Sequence, residues 1–214
     1  MFPDEPRTPA AAAIPLLYQR HARAWERARG ERLQEGEWLD RLAGALLPGA
    51  TVLDVGSGNG RPMAAELIRR GLRVTGVDVA PALLASARAA LPAAEWIEAD
   101  MRTLDLGRRF GAVLAWHSFF HLDAEDQRAT LPRLAAHLAP GAPLMWTAGP
   151  GHGVTMGEWQ GEPLFHASLS REEYAALLAG QGCAIERVWL GHPVAEGPTV
   201  YLARRRTGPA SGRG

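Results

Sequence analysis

Thr51-Val52-Leu53-Asp54-Val55-Gly56-Ser57-Gly58-Asn59-Gly60 decides the fold of this 214-residue chain. Thr51–Val55 is dense in β-formers and runs straight into glycine, the pattern of a short buried strand. Gly56, Gly58 and Gly60 then make a turn whose backbone can approach a ligand closely, because no Cβ intervenes. Helical spacing resumes from Arg61 to Arg70, with Met63 and Leu67 inward and Pro62 in the first turn, where its missing N–H costs nothing. A second apolar run, Arg73–Val77, ends in Asp78, about twenty residues after the turn. In a βαβ unit an acid placed there can grip ribose hydroxyls.

Outward from this unit, strand and helix patterns alternate. Helix Pro81–Leu91, strand Glu95–Glu98, strand Ala112–Trp116, helix Ala124–Leu138 and strand Pro143–Thr147 follow in turn. Such alternation predicts a Rossmann-like, mostly parallel α/β sheet with helices on both faces. After helix Arg171–Gln181, Ala184–Leu190 and Thr199–Arg204 read as an antiparallel pair joined by a Gly/Pro-rich turn. Upstream, 1–15 holds four prolines and an alanine tract and is expected to be disordered. A single domain is expected over 16–206, with helices at Leu16–Gly30 and Glu37–Leu47 and a frayed tail over 207–214.

Composition narrows the chemistry. Formal charge is zero and 47% of residues are hydrophobic, enough for one full core and against a nucleic-acid footprint. The chain has no lysine: all 23 basic residues are arginine. P-loop, Schiff-base and tyrosine–lysine dehydrogenase chemistries therefore each lack a required residue. Cys183 is the only cysteine and reads as a small buried hydrophobe at a strand start. No apolar run approaches the roughly eighteen residues of a membrane span, and a cytoplasmic protein is the expectation.

Two details separate the glycine turn from the dinucleotide fingerprint. That pattern needs glycine at position 61, where Arg61 stands. Asp54 also precedes the first glycine, and a fixed carboxylate suits an ammonium and a sulfonium better than a pyrophosphate. The constellation D-x-G-x-G-x-G with the later acid resembles class I S-adenosylmethionine-dependent methyltransferases. That resemblance covers about Tyr18 to Arg205 and implies seven strands with the last antiparallel, and S-adenosylmethionine as cofactor. It implies cofactor contacts at Asp54, Gly56, Ser57, Gly58, Gly60, Asp78 and Val79. Asp100 matches an acid that binds the adenine amino group, with the Met101 N–H on a ring nitrogen; a helix-cap or turn role is the alternative. Trp116 stands where cofactor and acceptor should meet.

Trp116-His117-Ser118-Phe119-Phe120-His121-Leu122, with the later Gly157–Leu169 segment, is similar to a group of small bacterial methyltransferases of mostly unassigned substrate. The group's pattern carries aspartate at the position of His117, so that role does not transfer. In the same group the segment before the first strand, here 16–47, folds over the cofactor as a lid. Tyr18, Trp25 and Arg29 are the residues that match, although Tyr18, His21 and Trp25 equally form an ordinary apolar helix stripe. Arg29 or Arg61 could meet the methionine carboxylate.

Methyl transfer from a sulfonium needs alignment and a dry site first, and a base only when the nucleophile arrives protonated. His121 and His117 are the candidate bases, with loop positioning as the alternative for His121. They lack the glutamate of H-E-x-x-H, and no metal is expected. The Gly-rich stretch Ala148–Ser168, read as a long loop, is expected to wall the acceptor pocket through Trp159 and His166, opposite Phe119 and Phe120. Asparagine–proline–proline, proline–cysteine and paired-acid metal signatures of other methyltransferases are missing. The expected function is methylation of an oxygen, nitrogen or sulfur atom of a small molecule. A non-catalytic binding protein on the same fold remains the rival, and a nicotinamide-dependent oxidoreductase is disfavoured by Arg61 and the missing lysine.

Overall fold

The computed structural model describes residues 8–190 and 197–207. The N-terminal part is helical: α1 (Pro9–Arg20), α2 (Ala22–Arg29) and α3 (Gly36–Ala43) precede the sheet. Then come β1 (Thr51–Val55), α4 (Met63–Arg69), β2 (Arg73–Asp78), α5 (Pro81–Ala90), β3 (Glu95–Glu98) and β4 (Ala112–Ala115). A single 3₁₀ turn, Phe119–His121, leads into α6 (Ala124–Ala136) and β5 (Pro143–Ala148). The chain closes with β6 (Gly153–Trp159), β7 (Glu162–Ser168), α7 (Arg171–Ala179), β8 (Cys183–Trp189) and β9 (Thr199–Arg205).

Seven strands form one sheet in the order β3-β2-β1-β4-β5-β9-β8. The first five are mutually parallel, and β9 runs antiparallel to both β5 and β8. Strand order therefore reverses between β1 and β4, which opens a crevice beyond their carboxyl ends. Buried side chains on the two faces explain the near-continuous apolar strands. Leu53, Val55, Val113 and Trp146 pack with α6 and α7 residues such as Leu131, Leu134 and Tyr174. Val52, Leu114 and Met145 pack on the other face with Leu39, Leu67 and Leu84. Among the described residues, no helix is long and apolar enough to cross a membrane.

Three expectations change. The segment expected to be disordered, 1–15, is helical from Pro9 onward, with Thr8 capping through its side chain and Ile14 buried. Proline in the first turn and an alanine run favour helix once an apolar surface is there to receive it. The one helix expected over Leu16–Gly30 is two, broken at His21, whose backbone leaves helical angles. The Ala148–Ser168 loop is instead an antiparallel hairpin, β6–β7, paired from Gly153↔Ser168 to Trp159↔Glu162. Its two-residue turn is Gln160-Gly161, both at positive φ, the geometry that matches strand twist. The 207–214 tail lies outside the described residues beyond Thr207, as does the expected turn over 191–196.

Candidate active site

Backbone geometry at the β1 carboxyl end makes the floor of the site. Gly56, Gly58 and Gly60 sit at φ of 71°, 57° and 75°, which L side chains rarely adopt. The Gly56 and Ser57 N–H groups donate to the Val77 carbonyl at 2.7 and 3.0 Å, bringing the turn alongside β2. A Cβ on Gly56 would stand 2.2 Å from Cβ of Ser118. Asp78 ties turn to helix: Oδ2 accepts from the Gly58 N–H at 2.8 Å and Oδ1 from Ala80 at 2.9 Å. Each carboxylate oxygen can accept a further hydrogen bond, so Asp78 keeps capacity for a ligand hydroxyl.

Above this floor lies a cavity of about 470 Å³. It is lined by Asp54, Gly56, Ser57, Gly58, Asp78, Val79, Asp100, Met101 and Trp116 on one side, and by Tyr18, Trp25 and Arg29 from the N-terminal helices. A Cβ at Gly58 would meet the Trp25 ring at 2.6 Å, so α2 lies directly on the glycine turn. His117, Phe120, His121 and His166 line the same cavity with Ile14, Leu122 and Leu164. The lid, the glycine turn and the hairpin therefore share one enclosure.

Charges in the enclosure are arranged unusually. Asp54 is 3% exposed, and burial, then the nearby Asp78 carboxylate, pushes it up to about 7. Burial also raises Asp78, against the backbone N–H groups of Ala80, Gly58 and Val79 that favour its charged form. Two carboxylates at one wall, with no cationic side chain hydrogen-bonded to either among the described residues, suit a cationic ligand. Asp100 is already engaged: the Arg102 backbone N–H and guanidinium both donate to it, and Arg102 reaches Asp126 at 3.2 Å. Arg29 pairs with Glu35 at 2.7 Å, and Arg61 pairs with Glu31.

The histidines differ among themselves. His121 Nδ1 lies 2.8 Å from the Phe165 carbonyl and Nε2 lies 2.9 Å from the Tyr18 hydroxyl. The carbonyl can only accept, so Nδ1 carries the proton and Nε2 accepts from Tyr18. Burial holds this imidazole at a pKa of about 3. His117 follows β4 at φ 51°, a left-handed angle that few residues other than glycine adopt, and its backbone N–H donates to Thr147 Oγ1. Burial, then the Arg29 charge, lowers it to about 4. Burial lowers His166 as well.

Three residues expected at the site lie elsewhere. Gly60 is backed by the Trp96 ring, 2.4 Å from an added Cβ, and serves packing. Phe119 is fully buried in the core beside Tyr174. Trp159 ends β6 at the hairpin turn, away from the cavity lining. The sequence reading missed Glu35, Leu83, Arg102 and Leu164. Arg102 had a signal, standing two residues after Asp100 where a turn brings side chains together. Glu35 had none, since it sits in an irregular segment between α2 and α3.

The crevice brings the acid-flanked glycine turn and the N-terminal helices together at the carboxyl ends of β1 and β4. Residues 52–141 match the family model of a methyltransferase domain. The chain is 40% identical over 103 residues to the trans-aconitate 2-methyltransferase of Azoarcus sp. (strain BH72), covering 44% of this chain and 37% of that one. It thus spans less than half the length of the curated relatives it matches. A structure of an S-adenosylmethionine-bound amino pentose methyltransferase from Micromonospora echinaspora aligns with a TM-score of 0.67 at 26% identity. That alignment covers 86% of this chain and 95% of that one. SpnF, a 4+2 cyclase, aligns with a TM-score of 0.70 at 16% identity over 96% of this chain and all of its own, a likeness in fold alone.

Proposed function

We propose that the protein is an S-adenosylmethionine-dependent methyltransferase that methylates an oxygen, nitrogen or sulfur atom of a small molecule. The observation that carries this reading is the single cavity joining Asp54, the glycine turn and Asp78 to a second set of aromatic and imidazole rings. The residues present fit the cofactor: the Gly56 and Gly58 backbone meets the cavity without side chains, and Asp78, held by the Gly58 and Ala80 N–H groups, keeps lone pairs for ribose hydroxyls.

In this reading Asp78 holds the ribose hydroxyls, Asp100 and Met101 face the adenine, and Asp54 faces the methionine ammonium. Trp25 closes the turn from above, and Arg29 or Arg61 trades its glutamate for the methionine carboxylate. Bound there, the cofactor supplies an electrophilic methyl group on a sulfonium. The chain's own contribution is positioning and exclusion of water. His117 is the group best placed to meet an acceptor, whereas His121, with both nitrogens engaged, positions lid and hairpin. In the same reading the acceptor is a small molecule and the protein works in the cytoplasm, without a nucleic-acid or membrane partner.

A second reading is a cofactor-binding protein on the same fold that does not turn over. Calorimetric titration with S-adenosylhomocysteine, with NAD in parallel, tests the cofactor assignment. Binding of the former alone supports it, and binding of neither removes it. Methylated product in an acceptor screen then separates enzyme from sensor.

A further inference from the structure

Six rings stand in unbroken contact along one wall of the cavity. Trp116 meets His117 at 5.3 Å between centroids, His117 meets Phe120 at 5.8 Å, and Phe120 meets His166 at 5.0 Å. His166 meets His121 at 4.9 Å, and His121 meets Tyr18 at 5.4 Å. All six line the cavity, and Ile14, Leu122 and Leu164 complete an apolar surround. Flat rings spaced in this way receive a flat ring well, through offset and edge-to-face contacts.

The cations of the cavity are already committed. Arg29 is paired with Glu35, Arg61 with Glu31, and Arg102 with Asp100 and Asp126. Asp54 and Asp78 add carboxylates at the same enclosure. An anionic acceptor would have to compete for a guanidinium with these carboxylates and with the methionine carboxylate that the proposed reading gives to Arg29 or Arg61. Proton acceptance is also restricted. His121 has one nitrogen donating and the other accepting, and burial keeps the rings of His117 and His166 neutral but weakly basic. Such imidazoles cannot readily take the proton of an alcohol, whereas they match the weak acidity of a protonated arylamine or ring nitrogen.

Resting on the methyltransferase reading, we infer that the acceptor is an uncharged, flat aromatic molecule whose nucleophile is a nitrogen with a free lone pair, seated against the wall from Trp116 to Tyr18. That lone pair forms the new carbon–nitrogen bond while the carbon–sulfur electron pair leaves on the thioether sulfur. The proton then carried by nitrogen passes to His117 or to water. This chemistry needs neither an unpaired guanidinium nor a strong base.

The test uses the full chain saturated with S-adenosylhomocysteine at pH 7.5, titrated separately with 3-aminoquinoline, 3-hydroxyquinoline, quinoline-3-carboxylate and trans-aconitate. The amine is expected to bind at least tenfold more tightly than either carboxylate, and His166→Ala is expected to weaken it several-fold while S-adenosylhomocysteine binding stays unchanged. With S-adenosylmethionine, mass spectrometry should find N-methylation of the amine ahead of O-methylation of the hydroxyl compound. Tighter binding of a carboxylate, preferred O-methylation, or binding of none of the four overturns the inference. Failure of S-adenosylhomocysteine itself to bind removes the underlying functional reading instead, so the two failures are distinguishable.

Discussion

The glycine turn and the β6–β7 hairpin both bend the chain sharply beside the cavity, but they are held in opposite ways. At Gly56, Gly58 and Gly60 positive φ coincides with crowding, since an added Cβ would meet Ser118, Trp25 or Trp96 at 2.2 to 2.6 Å. At Gly161 the φ is just as positive, at 78°, but nothing lies within 4 Å of an added Cβ. The first turn is fixed by the sheet beneath it and the lid above it. The second belongs to a hairpin held by its own strand pairing and by contacts to α1, His121 and Gln127. One turn is therefore set tightly, and the tip of the other has room to vary.

The largest expected effect breaks the first region. Gly56→Ala combines backbone strain with overpacking against Ser118 and should cost about 4 kcal/mol in denaturant unfolding. Gly161→Ala carries only the strain, about 1 kcal/mol, and equal losses at the two sites would erase the contrast. Next comes Asp54. Burial pushes its folded pKa up to about 7, well above the ordinary carboxyl range. A raised acid contributes stability that is complete below the unfolded pKa and lost as pH rises through the folded one. The ligand-free protein should thus lose about 2 kcal/mol between pH 5 and pH 8 from this group alone. Asp54→Asn should flatten that slope in thermal unfolding, raise stability at pH 8, and weaken S-adenosylhomocysteine binding. An unchanged slope would mean that another group carries the titration.

Smaller effects sharpen the second region. Tyr18→Phe removes the hydroxyl that His121 Nε2 accepts from, and should cost about 1 kcal/mol and speed amide exchange in α1. Exchange unchanged in α1 would show that the lid is held by its apolar contacts with Phe165 and Ala167 alone. The smallest effect is at Glu162, which binds Arg20 and His21 from the hairpin side with its carboxylate partly exposed. Glu162→Gln should change stability least of all these variants, with an ionic-strength dependence that the Tyr18 variant lacks.

The same contrast explains what was legible in the sequence. Strand β1 at Thr51–Val55, and the cavity-lining set Asp54, Gly56, Ser57, Gly58 and Asp78, follow from local rules. Buried strands are apolar, close approaches need glycine, and ligand acids end strands. The acceptor side obeys no such local rule. His166 reaches the cavity because β7 pairs with β6 and lies against α1, and that hairpin was read as a loop because Gly153 and Gly157 dilute the alternation of Val154 and Met156. The Gln160-Gly161 turn was the available signal. Phe119 and Trp159 were misplaced for a related reason: neighbours in sequence diverge once a 3₁₀ turn or strand sends successive side chains to different faces. The Arg102–Asp100–Asp126 group joins two elements far apart in the chain, and spacing alone could not forecast it.

The central claim is that Asp78, fixed by the Gly58 and Ala80 N–H groups, seats the cofactor ribose. Parallel calorimetric titrations of the unaltered protein and Asp78→Ala with S-adenosylhomocysteine test it most directly. The account predicts saturable binding to the unaltered protein and an affinity lower by about 1–3 kcal/mol in the variant, with its fold retained by circular dichroism. Equal affinities in the two proteins would contradict it.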